Sequence, residues 1–188
     1  MKKIYYYLIG ILALIISFIF DKQISLFFTS YRIEILNLIA LFFDKIKGYT
    51  IFIIIFGILL IKRQNKKILP LLVSFILYLG LTNLIKITVA RPRPFVNLEN
   101  ALVNNTDSYR SFPSGHATAV FTLLPFLDFI KVFWLIISIL VALSRVYLGV
   151  HYLSDIIMGA MLGYFIGDLS LYLVKKYKER KILHHRKI

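Results

Sequence analysis

The sequence has no cysteine, which removes disulfides and thiolate metal sites from consideration. Acidic residues are scarce as well: 9 Asp+Glu stand against 23 Lys+Arg, for a formal net charge of +14. Extended polar sequence is also missing, because 59% of the 188 residues are hydrophobic. A soluble domain of this length does not carry so much apolar surface. Most of the basic residues lie at the ends of apolar runs. The positive excess therefore reads as a topology signal that meets anionic headgroups, and nucleic acid is not an expected partner. Internal repeats and low-complexity linkers are absent. One membrane-embedded domain over residues 1–174 is expected, followed by a basic tail over 175–188.

What is present in quantity is long apolar sequence. A helix needs about 20 mainly apolar residues to cross a bilayer, with a range of about 17–25. The candidates are residues 4–20, 48–61, 68–87, 115–130, 132–148 and 152–174. No small-residue cleavage site follows the first run, only Asp21-Lys22-Gln23. It reads as an uncleaved span, not a signal peptide. Between the first two spans, the stretches 24–30 and 33–43 are each too short to cross alone, so they are expected to be interfacial or re-entrant helices. The fold expected is all-α: an integral membrane bundle of six transmembrane helices with that short helical segment between spans one and two.

Charge supports six spans over seven. Lys2-Lys3, the loop Lys62-Arg63 with Lys66-Lys67, Lys131 and the tail then share one side and hold most of the Lys+Arg. The positive-inside rule places that side, with both termini, in the cytoplasm. Three polar clusters then meet on the extracytoplasmic face. Ionisable groups beside hydrophobic spans are costly and mark function.

The first cluster is Lys86 with Arg91-Pro92-Arg93-Pro94. The prolines end the helix and stiffen its exit. Arg93 offers a fork that fits phosphate oxygens, and Lys86 a point charge. Arg91 and Arg110 read as loop-capping residues outside the site. The second is Phe112-Pro113-Ser114-Gly115-His116. Ser114 is a good N-cap, Gly115 permits close backbone approach, and His116 falls in the first turn, where free N–H groups suit an anion. The third is Ser144-Arg145 with His151 and Asp155. Residues four apart share a helix face, and a carboxylate that accepts from one imidazole nitrogen makes the other a better nucleophile. That face continues as Gly159, Gly163 and Gly167, a small-residue packing stripe between membrane helices. Asp168, deeper in the last span, is given no catalytic role. His184 and His185 lie in the tail, away from the clusters. His116, His151 and one carboxylate make a thin set for a zinc or two-metal site, so no metal or other cofactor is expected.

These residues carry a family likeness. Lys86, six residues, Arg93-Pro94; Pro113-Ser114-Gly115-His116; Ser144-Arg145, five residues, His151, three residues, Asp155. The pattern, over about residues 50–175, resembles the type 2 phosphatidic acid phosphatase superfamily, which includes vanadium haloperoxidases and bacterial acid phosphatases. The apolar spans point to its membrane-embedded branch. The resemblance implies that His151 attacks phosphorus and forms a phosphohistidine, with Asp155 orienting it. His116 would protonate the leaving oxygen and then serve as base for water. Lys86, Arg93, Arg145 and the Ser114-Gly115 turn would hold the phosphoryl oxygens. The implied substrate is a membrane lipid phosphate or pyrophosphate, such as undecaprenyl pyrophosphate, phosphatidylglycerophosphate, phosphatidic acid or lipid A phosphate. The implied place is the inner cell membrane, with no obligate protein partner. A lipid phosphotransferase would use the same phosphohistidine. An anion transporter would need a polar route through the bilayer, whereas the charges here gather at one face. Headgroup preference is expected to lie with Asn97, Glu99, Asn100 and Asn104, between the first two motifs.

Overall fold

The computed structural model describes residues 2–97, 101–103 and 107–185. Among these residues the protein is helical throughout, with no strand. The elements are α1 (Lys2–Ser30), α2 (Glu34–Lys45), α3 (Gly48–Ile61), α4 (Ile68–Val89), α5 (Pro94–Asn97), α6 (Gly115–Leu123), α7 (Lys131–Tyr147) and α8 (Leu153–His185). Four helical stretches, at 7–30, 65–97, 128–147 and 153–183, have the length and apolarity to cross a membrane. Two of the expected spans fall short of that length, because Gly48–Ile61 and Gly115–Phe126 are shorter apolar helices. Glu99, Asn100 and Asn104 lie outside the described residues.

The first helix differs from expectation. Instead of breaking at Asp21, α1 runs on to Ser30, so the stretch 24–30 is not a separate interfacial helix. Asp21 is tolerated because its carboxylate is bonded by Arg91 and Ser154. The expected short helical segment reduces to α2, held against α7 by Tyr147. That hydroxyl accepts from the Ile33 N–H at 2.9 Å and donates to Asn37 Oδ1 at 2.7 Å.

At the bundle centre, α6 packs against α3, α4, α7 and α8. Ala117, Thr118, Ala119, Val120, Thr122 and Leu123 are buried on all its sides, which suits a helix hidden inside a bundle. It stops earlier than the expected 115–130 run, giving way to short 3-10 turns at Leu124–Phe126, where Pro125 sits, and Asp128–Ile130. Twelve helical residues rise about 18 Å, well under the ~30 Å hydrocarbon core.

The glycine stripe of α8 meets α6 as its spacing predicts. A Cβ on Gly159 would lie 2.8 Å from the Ser114 carbonyl, on Gly163 2.3 Å from that of Thr118, and on Gly167 2.3 Å from that of Thr122. Two helices touch backbone to backbone along three turns, which fixes the start of α6 against the start of α8. Beyond residue 174, α8 continues as helix to His185. Its Lys, Glu, Arg and Leu residues are good helix formers.

Candidate active site

The end of α4, the start of α6, and the turn from α7 to α8 meet at one end of this bundle. At the end of α4, Ala90 adopts a left-handed conformation (φ 45°, ψ 41°) and turns the backbone into Arg91-Pro92-Arg93-Pro94. That segment pairs with the one before Pro113: Arg93 N–H donates to Ser108 O at 2.9 Å, and Ser111 N–H to Arg91 O at 3.0 Å. The Phe112–Pro113 peptide is cis. Ser114 then caps α6, its Oγ accepting from Ala117 N–H, while its own N–H donates to Asp155 O at 3.0 Å. After α7, Gly149 takes φ +75°, a left-handed turn that glycine makes without strain. The turn delivers His151 just before α8 begins.

The result brings the expected residues together around His151. Its Nε2 lies 3.2 Å from Arg93 Nη1, and its Nδ1 3.4 Å from Asp155 Oδ2. Arg93 is itself fixed, donating from Nε to Asp107 O at 2.6 Å and from Nη1 to Val150 O at 3.0 Å. Lys86 Nζ donates to Arg110 O at 2.6 Å. Arg145 is paired through Nη1 with Asp44 Oδ1 at 2.7 Å. His116 shares the field of Arg145, Asp44, Lys47 and Lys86. Beside His151, the buried His116 Nε2 and Arg145 Nε have no hydrogen-bond partner among the described residues. A buried unsatisfied polar atom costs stability, and these two lie beside the imidazole of His151 and the Asp44–Arg145 pair. Gly115 lies beside Lys86 Cε and the Tyr78 hydroxyl, each 3.9 Å from where a Cβ would sit. The protein itself leaves room for that Cβ.

Burial, and after it the positive charges of Arg93, Lys86 and Arg145, push the His151 pKa well below its ordinary value. His151 is therefore held neutral, the form that nucleophilic attack by an imidazole would need. Burial pushes the Asp44 carboxyl up, but the charge and hydrogen bond of Arg145 bring it below its usual value.

Four residues in or behind this site were not among the sequence candidates. Arg91 is not a loop cap. It donates from Nη1 to Asp155 Oδ1 at 2.7 Å and from Nη2 to Asp21 Oδ2 at 2.7 Å, and it sits over the Tyr152 ring at 4.1 Å. Ser111 Oγ donates to Asp155 Oδ2 at 2.5 Å. Asp21 and Asp44 pair with Arg91 and Arg145. Scarcity was the available signal: carboxylates are rare in this chain, and one inside apolar sequence needs a cationic partner. Arg110, in contrast, is largely exposed and lies 4.0 Å from Asp107.

All three motifs fall within a match to the family model of the PAP2 superfamily, over residues 67–179. The chain belongs to the PAP2 superfamily. It is 32% identical to an undecaprenyl-diphosphatase of Sulfolobus acidocaldarius, over 91% of this chain and 92% of that protein. It is also 36% identical to phosphatidylglycerophosphatase B of Bacillus subtilis, over 39% of this chain and 42% of that one. Among solved structures, Aquifex aeolicus LpxE superposes with a TM-score of 0.73 at 29% identity, covering 81% of this chain and 94% of its own. The PAP2-type phosphatidylglycerolphosphate phosphatase of B. subtilis shares the fold, with a TM-score of 0.63 at 22% identity over 94% and 96%. As a PAP2 protein with apolar helices of membrane-crossing length, the chain is a membrane phosphatase, a hydrolase of phosphate esters.

Proposed function

We propose that this PAP2 protein hydrolyses a lipid diphosphate or lipid phosphate at the extracytoplasmic face through a phosphohistidine on His151. What carries the reading is the closed cationic cradle around a neutral imidazole, with the nitrogens of His116 and Arg145 left unpartnered. Arg93, Lys86 and Arg145 supply charge where a transferring phosphoryl group develops it. His151 Nε2 forms the N–P bond as the P–O bond to the leaving group breaks, and His116, which takes up a proton once the anionic phosphate occupies the cradle, gives that proton to the departing oxygen. Water then attacks phosphorus and loses a proton to His116. The N–P bond breaks, its electron pair returns to His151, and inorganic phosphate leaves.

Two cavities suit an amphiphilic substrate. A polar one of about 570 Å³ opens beside Lys86, lined also by Asp107, Ser108, Tyr109 and Arg110. An apolar groove of about 480 Å³ runs between α3 and α4, lined by Phe52, Phe56, Leu71 and Phe75. Tyr78 links groove and cradle: its ring stacks on Phe52 and its hydroxyl lies beside Gly115. The likeness to an undecaprenyl-diphosphatase over nearly the whole chain favours a polyprenyl diphosphate as substrate, ahead of phosphatidylglycerophosphate and phosphatidic acid. We further assign six spans, with both termini cytoplasmic, from the distribution of Lys and Arg.

The test is phosphate release by purified protein in detergent with EDTA, across polyprenyl diphosphates, phosphatidylglycerophosphate and phosphatidic acid. The expected result is release that survives chelation, is fastest with the polyprenyl diphosphate, and falls by about 10⁴-fold or more in His151→Ala. Release unaffected by that substitution would overturn the nucleophile assignment.

A further inference from the structure

Asp155 is fully buried, and only one of its oxygens faces the nucleophile. Oδ2 lies 3.4 Å from His151 Nδ1 and accepts from Ser111 Oγ and from Tyr152 N–H at 2.8 Å. Oδ1 is taken by Arg91. A carboxylate neutralised by an arginine is a poor counter-charge for an imidazole that becomes cationic on phosphorylation. In this protein the arginine is itself held from behind. Asp21, 4% exposed in α1, accepts from Arg91 Nη2 at 2.7 Å and from Ser154 N–H at 2.9 Å, and the Ser154 hydroxyl donates to its Oδ2. The row reads carboxylate, guanidinium, carboxylate, imidazole, and the three groups behind His151 sum to one negative charge.

We infer that Asp21 is a positioning residue for the phosphatase reaction. By sharing Arg91, it leaves Asp155 free to balance the positive charge that His151 gains in the transition state. The inference rests on the phosphohistidine reading. It assigns to α1, which carries none of the family motifs, a part in the chemistry. A staple that only tied α1 to α8 would need the same contacts but no net charge, so the two roles separate experimentally.

The variant is Asp21→Asn, which keeps the shape and one acceptor and removes the charge. Binding of orthovanadate and of inorganic phosphate to the full-length protein in detergent is titrated calorimetrically, beside kcat and KM for a polyprenyl diphosphate. Five-coordinate vanadate bonded to a nucleophile resembles the transition state, while tetrahedral phosphate resembles the ground state. The expected result is a kcat lower by about 10–100-fold and a vanadate Kd raised by a similar factor. Phosphate Kd and KM should stay within about 3-fold of wild type. A vanadate Kd that does not move, or that moves together with the phosphate Kd, overturns the inference, because a structural lesion acts on the active fraction or on the whole cradle. Ser154→Ala retains all three charges and loosens Asp21; it should give the same pattern at smaller amplitude, and it decides the matter if Asp21→Asn does not fold. His151→Ala separates the two claims. If it leaves the preference for vanadate over phosphate intact, the phosphohistidine reading falls. If it abolishes that preference and Asp21→Asn does not reduce it, only the role of Asp21 falls.

Discussion

His151 is kept neutral by burial first and then by the charges of Arg93, Lys86 and Arg145. That has a consequence for stability as well as for catalysis. Its folded pKa lies below the value of about 6.5 that the unfolded chain recovers. As pH falls through that value the unfolded state takes up a proton that the folded state refuses, so stability declines with falling pH. Asp44, held below its ordinary value by Arg145, adds a loss of the same sign at lower pH, where the unfolded carboxylate protonates and the folded one resists. The protein is therefore expected to melt at a lower temperature at about pH 5 than at about pH 7. In His151→Gln, that drop should shrink. Thermal unfolding in detergent across this range checks it, and equal drops in both proteins would mean that His151 does not carry the linkage.

At the scale of elements, the contact of α6 with α8 sets the site. Gly163 leaves no space for a methyl group, its ideal Cβ lying 2.3 Å from the Thr118 carbonyl. Gly163→Ala should cost about 1–3 kcal/mol and lower Tm, whereas Gly80→Ala in α4, with nothing within 4 Å, should not. Equal effects at both positions would show that helix contact is not what the stripe serves. This stripe was legible in the sequence, because a four-residue spacing of glycines names a helix face. So were the three motifs, whose residue types carry their chemistry wherever the fold puts them. The length of α1 was not legible. Asp21 reads as a break in an apolar run, and only partners 70 and 133 residues away make it an interior residue. Arg91 failed for the same reason: its proline neighbours suggest a loop cap, while its two carboxylates come from α1 and α8. The shortness of α6 was hidden too, since an apolar run of 115–130 looks the same whether it faces lipid or lies inside the bundle.

The sidedness proposed for the whole molecule rests on its charge pattern, and the lack of cysteine makes it easy to test. Under that proposal both termini are cytoplasmic, and the loop between α3 and α4, carrying Lys62, Arg63, Lys66 and Lys67, would lie on the cytoplasmic side. The segment 107–110 beside Lys86 then lies outside. These positions sit at opposite ends of α4, whose 22 residues rise about 33 Å, close to one bilayer core. A single cysteine placed at Lys66 or at Tyr109, each exposed, becomes the only thiol in the protein. In intact cells a membrane-impermeant maleimide should label Tyr109→Cys and leave Lys66→Cys unmodified until the membrane is opened. The reverse pattern would place the cradle in the cytoplasm, where a lipid phosphate presented on the outer leaflet could not reach it. Labelling of both in intact cells would mean that α4 does not separate the two sides. Because the cradle, the polar cavity and the end of α4 all lie beside Lys86, this one pair of variants fixes the face of the membrane on which His151 acts.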